Sequence, residues 1–293
     1  MHAFGFRSLH PAVLLIYYAG GMTFGMLFFH PAVLLAGLAA NAAVHAAVDG
    51  GRELGKWLKF LLPGVLLLAA VNPLLVRQGA TVWVYIGSLS VTKEAVVYGF
   101  TLAGAVLHMM LFAVSYRVVF SGEKFLHLFA RWAPNASLVA MMAIGLVPRM
   151  RRRLADLALV QQTRGVTVSS GPLRARAASG LKLVWSLAGW SLEDALRTAD
   201  SMRARGYGTG PRSSYRHFRP RLRDGLSGFL LTASALAMLW CWMKGYGLLR
   251  IYPRLPDPVP DKGDWIALAL YAAFVAFPLL WEWRDRAAWR TLR

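Results

Sequence analysis

Long apolar stretches recur along the chain and alternate with short polar segments. A helix needs about 20 apolar residues to cross a hydrocarbon core about 30 Å thick, because it rises about 1.5 Å per residue. Six stretches meet this requirement, at residues 12–29, 32–48, 57–75, 95–116, 226–246 and 265–281. The pattern predicts an all-α polytopic membrane protein with about six transmembrane helices.

Prolines divide some of these apolar runs. His30-Pro31 separates the first two stretches, and proline disfavours helix just before it, so we expect two helices joined by a tight turn. A seventh run, 136–147, is too short to span and lies between Pro134 and Pro148. We expect it to form a re-entrant, interfacial or buried segment. The first run lacks a clear cleavage site, so the N-terminus is expected to stay attached.

Composition supports the membrane interpretation. Hydrophobic residues make up 57% of the 293 residues, and the mean hydropathy is +0.44, which excludes an ordinary soluble globular protein. The net charge of +19 would suit nucleic acid. However, nucleic-acid-binding domains rarely carry long apolar runs between their basic segments, so we expect no nucleic-acid partner and interpret the charge as membrane topology.

The distribution of basic residues predicts the orientation. If both termini are cytoplasmic, 27 of the 33 lysines and arginines lie on the cytoplasmic side and six lie outside. Basic residues are retained on the cytoplasmic side, so this arrangement is favoured. It divides the chain into an N-terminal membrane region of four helices (1–116), a basic cytoplasmic coupling region (117–224) and a C-terminal membrane region of two helices (225–293).

The cytoplasmic region 117–224 carries 19 basic and six acidic residues. An anionic ligand or an acidic partner surface is a natural counterpart for this charge. The alternative is that the basic excess only retains the region in the cytoplasm and contacts lipid head groups of the bilayer.

Two Arg-Gly patterns stand out within this region, 41 positions apart. The first, Thr163-Arg164-Gly165, closes a helical pattern that begins near Pro148. The second, Arg203-Ala204-Arg205-Gly206, closes a helix predicted to begin at Ser191, with Asp194 completing a capping box. An apolar stripe is predicted along this second helix, formed by Leu192, Ala195, Leu196, Ala199 and Met202.

A single Arg-Gly pair is a common helix end, since glycine adopts positive φ and arginine complements the helix dipole. The repetition suggests that partner proteins provide two similar binding sites for these helix ends. A third amphipathic helix is possible near 121–132, with Phe125, Leu128 and Phe129 as its apolar face.

The motifs of catalysis and metal binding are missing from the sequence. No Gly-Lys-Ser/Thr occurs, so nucleotide hydrolysis is expected in another chain. The seven histidines lack metal-ligand spacing, and His108 is expected to pack inside a helix bundle. Glu94 and Glu282 are expected at helix ends, which leaves the spans without paired carboxylates. We therefore predict no catalytic residue, no metal site and no cofactor in this chain.

Several short motifs together resemble one known family, the transmembrane coupling (T) component of energy-coupling factor (ECF) transporters, also called the EcfT/CbiQ family. The motifs that carry the resemblance are His10-Pro11, His30-Pro31, Asn72-Pro73-Leu74, Thr92-Lys93-Glu94-Ala95, Gly145-Leu146-Val147-Pro148 and Met202-Arg203-Ala204-Arg205-Gly206-Tyr207. Family members carry Ala-Arg-Gly or a near variant at both Arg-Gly positions. Here the first position has Thr163 in place of alanine.

The resemblance implies a non-catalytic coupling subunit for micronutrient uptake, of a vitamin or a metal ion, in the bacterial inner membrane. Two cytoplasmic coupling helices would dock into grooves on two ATP-binding-cassette (ABC) ATPases, which bind ATP and Mg. The membrane part would hold a separate substrate-binding S component. The implied docking residues are Thr163, Arg164, Gly165, Arg203, Ala204, Arg205 and Gly206. Four further arginines, Arg149 and Arg151–Arg153, are expected at the membrane exit near lipid phosphates.

Two other functions remain compatible with the residues. A membrane enzyme acting on a phosphorylated lipid would need an acid near the arginines, and Asp156, Asp194 and Asp200 are the candidates. A plain lipid-binding scaffold would accept lysine in place of Arg164 and Arg205, because lipid attraction depends mainly on charge.

Overall fold

The computed structural model describes residues 5–76, 79–86, 89–130, 132–163, 172–210, 221–252, 255–256 and 259–291. Within these ranges the chain forms a short 3-10 helix (Phe6–Ser8), nine α-helices and one antiparallel hairpin. The helices are α1 (Pro11–Leu27), α2 (Pro31–Asp49), α3 (Arg52–Leu75), α4 (Lys93–Val119), α5 (Gly122–Ala130), α6 (Pro134–Thr163), α7 (Leu173–Ala204), α8 (Leu222–Met243) and α9 (Lys262–Thr291). The strands are β1 (Val82–Ile86) and β2 (Leu89–Thr92).

Five helices of the described chain are long and apolar enough to cross a membrane. They are α2, α3, α4, α8 and the Lys262–Arg284 part of α9. Helix α1 is also apolar, but its 17 residues extend only about 25 Å. Each of the six predicted stretches overlaps one of these helices, although 12–29 and 226–246 run two and three residues past the ends of α1 and α8. The prediction of an all-α polytopic membrane protein is confirmed.

The chain divides into two compact units. One consists of Met1–Lys124 with Phe218–Arg293 and contains the candidate spans, and the other is Phe125–His217 and contains α6 and α7. The functional division at 117 and 224 stays a prediction. Helix α4 runs slightly past the first of these positions, and α8 begins slightly before the second.

The first two helices begin in the same way. His10 and His30 are the N-cap residues of α1 and α2, and each is followed by a proline at the first helical position. The ring Nδ1 of each histidine accepts a hydrogen bond of 3.2 Å from the backbone N–H two residues later. The imidazole nitrogen thus takes the place of the usual capping oxygen. The two proline-led helices predicted from the sequence are confirmed.

Glycines allow large side chains to fill the core of the membrane unit. Helix α4 packs against α1, α2 and α3, while α9 packs against α2 and α8. Gly21 of α1 faces the ring of Phe112, and Gly37 of α2 faces both Tyr271 and His108. Small residues of this kind let helix backbones approach closely where lipid supplies no hydrophobic driving force.

Several polar side chains in this core pair across helices. Tyr271 Oη donates to the Gly21 carbonyl at 3.2 Å and lies 2.5 Å from His108 Nε2. A hydroxyl has one hydrogen and a carbonyl can only accept, so His108 Nε2 is the donor to Tyr271. Tyr17 Oη donates to the Val275 carbonyl at 2.8 Å. His108 therefore packs within the bundle, as the sequence predicted.

Helix α6 corrects the prediction for the run 136–147. Pro148 was expected to end this run, but the helix continues through it from Pro134 to Thr163. Proline removes only one N–H donor. The neighbouring Arg149 Nε donates to the Gly145 carbonyl at 3.4 Å, close to the interruption. Most side chains of 136–147 are exposed, so this run is not buried within its own chain.

Two further expectations were wrong. Ser191 does not cap a helix, because it lies in the middle of α7, which begins at Leu173. Residues 173–190 contain no proline and many good helix formers, so the helix continues past the capping-box pattern. Glu282 does not mark the end of a helix, because α9 continues to Thr291. Glu94 does lie in the first turn of α4, as expected.

The glycine packing yields a test of the membrane core. Gly21→Leu forces a side chain into the Phe112 ring, whereas Gly104→Leu meets open space on α4. Overpacking costs about 1–3 kcal/mol, so Gly21→Leu should lower the unfolding temperature in detergent by several degrees. Gly104→Leu carries the same gain in helix propensity and should leave it unchanged or raise it. Equal unfolding temperatures for the two variants would contradict this packing.

Candidate functional site

The second Arg-Gly motif forms the C-terminal end of α7. Arg205 is the C-cap residue, and Gly206 follows with φ +78°. The Gly206 N–H donates to the Arg203 carbonyl at 2.9 Å, and the Tyr207 N–H donates to the Met202 carbonyl at 3.0 Å. This pair of bonds is the Schellman motif, which needs a residue in the left-handed region. Gly206 therefore fixes the backbone conformation at the helix end that carries Arg203 and Arg205.

The arginines of this motif are directed to the surface. Arg203, Ala204 and Arg205 are all exposed, as is the neighbouring Tyr207. Among the residues that the structure describes, neither Arg203 nor Arg205 forms an ion pair or a side-chain hydrogen bond. Both guanidinium groups therefore have all their donors available to a partner.

Only part of the first motif lies within the described chain. Helix α6 ends at Thr163, whose Oγ1 donates to the Val160 carbonyl at 2.7 Å. Arg164 and Gly165 lie outside the described residues, so their role stays a prediction. Thr163 is exposed at the helix end, where the motif was expected.

Two contacts join α6 and α7 where they cross. Arg149 Nη1 lies 3.3 Å from Asp194 Oδ2, and the Arg153 guanidinium lies 5.3 Å from the centroid of the Trp190 ring. The two arginines are four residues apart on α6, and their partners are four residues apart on α7. The order is antiparallel, since Arg149 binds the later residue and Arg153 the earlier one. We call these four residues the crossing clamp.

The sequence did not reveal the crossing clamp. Arg149 and Arg153 were expected near lipid phosphates, and Asp194 was expected in a capping box. The available signal was the matched i,i+4 spacing of two basic residues on one helix and of an aromatic and an acid on the other. That signal identifies a contact only when the helices are known to cross.

An apolar stripe runs along the outer face of α7. Trp185, Leu192 and Leu196 are about 70% exposed, although they lie on one side of the helix. Leu181 and Val184 extend the stripe toward the start of the helix, and Ala195 and Ala199 extend it toward Arg203. The predicted stripe is therefore present as a surface, except that Met202 is half-buried. An exposed stripe of this kind marks a place where a partner or lipid binds.

The charge on α7 is only partly compensated. Between residues 125 and 217 the sequence has 14 basic and four acidic residues. Two of these acids are already paired, Glu193 with Arg197 at 2.5 Å and Asp194 with Arg149. The motif end of α7 is therefore suited to an acidic or carbonyl-rich partner surface.

The fold and the site define a polytopic α-helical membrane protein with two long basic helices beyond its candidate spans. A family model described as CbiQ, cobalt transport protein, matches residues 7–215. The match covers more than two thirds of the chain, including α1–α7 and both Arg-Gly motifs. The chain therefore belongs to this transport family, and the resemblance noted in the sequence is confirmed. A comparison with curated proteins found no match.

The crossing clamp can be tested by hydrogen exchange. The Arg149–Asp194 pair is partly exposed, so we expect it to contribute about 0.5–1 kcal/mol. Arg149→Ala should increase amide exchange two- to fivefold in peptides around 146–156 and 190–197. The charge-swapped variant Arg149→Asp with Asp194→Arg should restore much of the protection. Arg151→Ala is the control, because Arg151 is exposed on the same helix. Equal exchange in the Arg149 and Arg151 variants would contradict the clamp.

Proposed function

We propose that this protein is the transmembrane coupling subunit of an ECF-type ABC importer. It transmits ATP-driven motion from two cytoplasmic ATPase subunits to a membrane-embedded S component that binds a micronutrient, a vitamin or a metal ion. The family to which the chain belongs, described as cobalt transport protein, supports a transport role. The protein sits in the bacterial inner membrane with both termini in the cytoplasm.

The observation that carries this proposal is the end of α7. A glycine-dependent helix stop holds Arg203 and Arg205 on a fixed backbone, exposed and without partners among the described residues. A guanidinium group in a fixed position forms bidentate bonds with carboxylates or carbonyl oxygens in a groove. Arg205 is the principal docking residue, with Arg203, Ala204 and Gly206 beside it, and Thr163, Arg164 and Gly165 form the equivalent site on α6.

The helix that carries the motif is suited to transmit force. Helix α7 has 32 residues and is therefore about 48 Å long. The crossing clamp joins it to α6 near the middle of α7, at Trp190 and Asp194. A displacement applied to the Arg-Gly end of either helix is thereby passed to the other helix. The coupling subunit works mechanically, while ATP and Mg bind in the partner ATPases.

The clamp also weakens the alternative of a lipid enzyme. That alternative needed an acid near the arginines, and Asp194 was one of three candidates. Asp194 pairs with Arg149 and so has a structural role at the helix crossing.

The apolar stripe of α7 is the proposed contact for the S component. Trp185, Leu192 and Leu196 give it a long uncharged surface, which fits another hydrophobic protein better than an ATPase groove. The two partners would therefore bind the same helix at different places, the ATPase at the arginine end and the S component along the stripe.

Charge reversal at the motif tests the ATPase contact. Arg205→Glu, and more strongly Arg205→Glu combined with Arg164→Glu, should reduce ATPase recovery in affinity purification at least tenfold and abolish uptake. Removing one member of a buried charged contact costs about 2–5 kcal/mol, which exceeds a factor of ten. The variants should elute from size exclusion like the unmodified protein.

Two controls separate docking from simple charge. Arg151→Glu makes the same charge change on the exposed side of α6 and should leave ATPase recovery unchanged. Arg205→Lys keeps the charge but loses the bidentate geometry, so it should reduce recovery. Full function of the lysine variant would favour the lipid-binding scaffold, and normal recovery with the double glutamate variant would refute the docking role.

The stripe is tested with lysines placed on and off it. Leu192→Lys combined with Leu196→Lys should reduce co-purification of the S component at least tenfold, because two charges would be buried in an apolar interface. ATPase recovery should not change. Ser186→Lys lies on the same helix, is exposed and falls off the stripe, so it should have no effect. Unchanged S-component recovery with the double lysine variant would contradict the assignment.

A further inference from the structure

The hairpin between α3 and α4 is a feature that the proposed coupling function does not use. Strands β1 and β2 pair antiparallel, with Val84 opposite Val91 and Ile86 opposite Leu89, and a bulge lies between Val82 and Val84. The hairpin follows the C-terminal end of α3 and leads directly into the first residue of α4. Both of these helices are candidate membrane spans.

Hydrogen bonds fix the base of the hairpin on the first turn of α4. Thr81 donates from its backbone N–H and its Oγ1 to Glu94 Oε1, at 3.2 and 2.7 Å. The Lys93 N–H donates to the Thr81 carbonyl at 3.0 Å. Gly79, at φ +141°, allows the chain to pass closely, since a Cβ there would lie 2.6 Å from Thr92 Oγ1. Glu94 is fully buried beneath this junction.

The surface of β1 is unsuited to water. Val82, Trp83, Val84 and Tyr85 are all exposed, Trp83 by 61% and Tyr85 by 72%, so both faces of the strand are uncovered. Residues 79–92 contain no charged side chain. An exposed, uncharged strand of this kind in water is an aggregation site.

The backbone of the hairpin is equally unsuited to hydrocarbon. The sheet has only two strands, so β1 has one edge without a neighbouring strand. Each unpaired N–H or C=O group is costly where water is absent, and open sheet edges do not occur in the lipid-exposed hydrocarbon region. The side chains thus disfavour water, and the backbone disfavours the bilayer core.

The membrane interface satisfies both requirements. Head groups and water supply hydrogen-bond partners for the strand edge, and tryptophan and tyrosine are enriched at this depth. Trp83 is two residues from Thr81, so its Cα lies at most about 7 Å from the anchored base. The head-group layer on each side of a bilayer is of similar thickness, about 5–8 Å. Trp83 therefore stays within this layer, and Tyr85 does so when the strand lies along the membrane surface.

We propose that the 79–92 hairpin is an interfacial anchor, which lies flat among the lipid head groups and holds the ends of α3 and α4 at that surface through Trp83 and Tyr85. The binding partner is the lipid head-group layer. In the proposed orientation this is the outer leaflet. This proposal is independent of the coupling function, because the observations that support it concern only the hairpin and the two spans that it joins.

The depth of the hairpin is measured with single cysteines. Cys241 is the only cysteine, and it is replaced by alanine in every variant. Trp83→Cys and Tyr85→Cys are labelled with an NBD fluorophore, and the purified protein is placed in phosphatidylcholine and phosphatidylglycerol vesicles. Thr209→Cys serves as the aqueous reference, and Met109→Cys, exposed in the middle of α4, serves as the hydrocarbon reference. Quenching is compared between aqueous iodide and spin labels carried by lipid head groups.

Head-group spin labels should quench both hairpin labels at least twofold more than they quench the Thr209 label. Iodide should quench both hairpin labels less than it quenches the Thr209 label. The Met109 label should be shielded from both quenchers. Iodide quenching of the hairpin labels equal to that of Thr209 would place the strand in water and overturn the anchor. Shielding of the hairpin labels from both quenchers would place the strand in hydrocarbon or under protein, and either position would also overturn the anchor. Val84→Cys, on the opposite face of the strand, repeats the measurement if a variant fails to yield monodisperse protein.

Discussion

The hydrogen bonds of Tyr271 hold the membrane unit together. Its hydroxyl joins α9 to the Gly21 carbonyl of α1 and to His108 of α4, in a core from which water is excluded. Such a contact forms only if the helices approach closely, and Gly21, Gly25 and Gly37 provide that approach. The spans of this unit are therefore fixed by polar contacts and small residues, since apolar surface alone does not distinguish a helix neighbour from lipid.

The second unit, Phe125–His217, instead leaves apolar and charged side chains exposed. Its helices bury little, and α7 presents an apolar stripe and two arginines to its surroundings. A domain that functioned alone would bury the stripe and pair the arginines. The exposed stripe and arginines of this unit are consistent with a protein that is completed by partners. The crossing clamp joins the two long helices of this unit through one ion pair and one cation–π contact.

Much of the membrane unit was predictable, because hydropathy and proline act locally. The His-Pro pairs mark the starts of α1 and α2, and each predicted stretch coincides with a helix. The path of α6 through Pro148 was not predictable, because the loss of one hydrogen bond can be tolerated in a long helix. The start of α7 was misplaced for a related reason, since Ser191 and Asp194 resemble a cap that the continuous helix does not use.

The hairpin was missed although Val82–Ile86 is rich in β-branched and aromatic residues before Gly87-Ser88. The crossing clamp was inaccessible, because it joins residues about 40 positions apart.

The proposed function depends on docking of the arginine end of α7 into an ATPase. A structure of the protein purified with its ATPase partners, at a resolution that places side chains, would test this most directly. We expect the Arg205 guanidinium to lie within hydrogen-bond distance of carboxylate or carbonyl oxygens in a groove of one ATPase, with Gly206 against the groove wall. An assembled complex in which both ATPases bind elsewhere and residues 203–206 remain in solvent would contradict it.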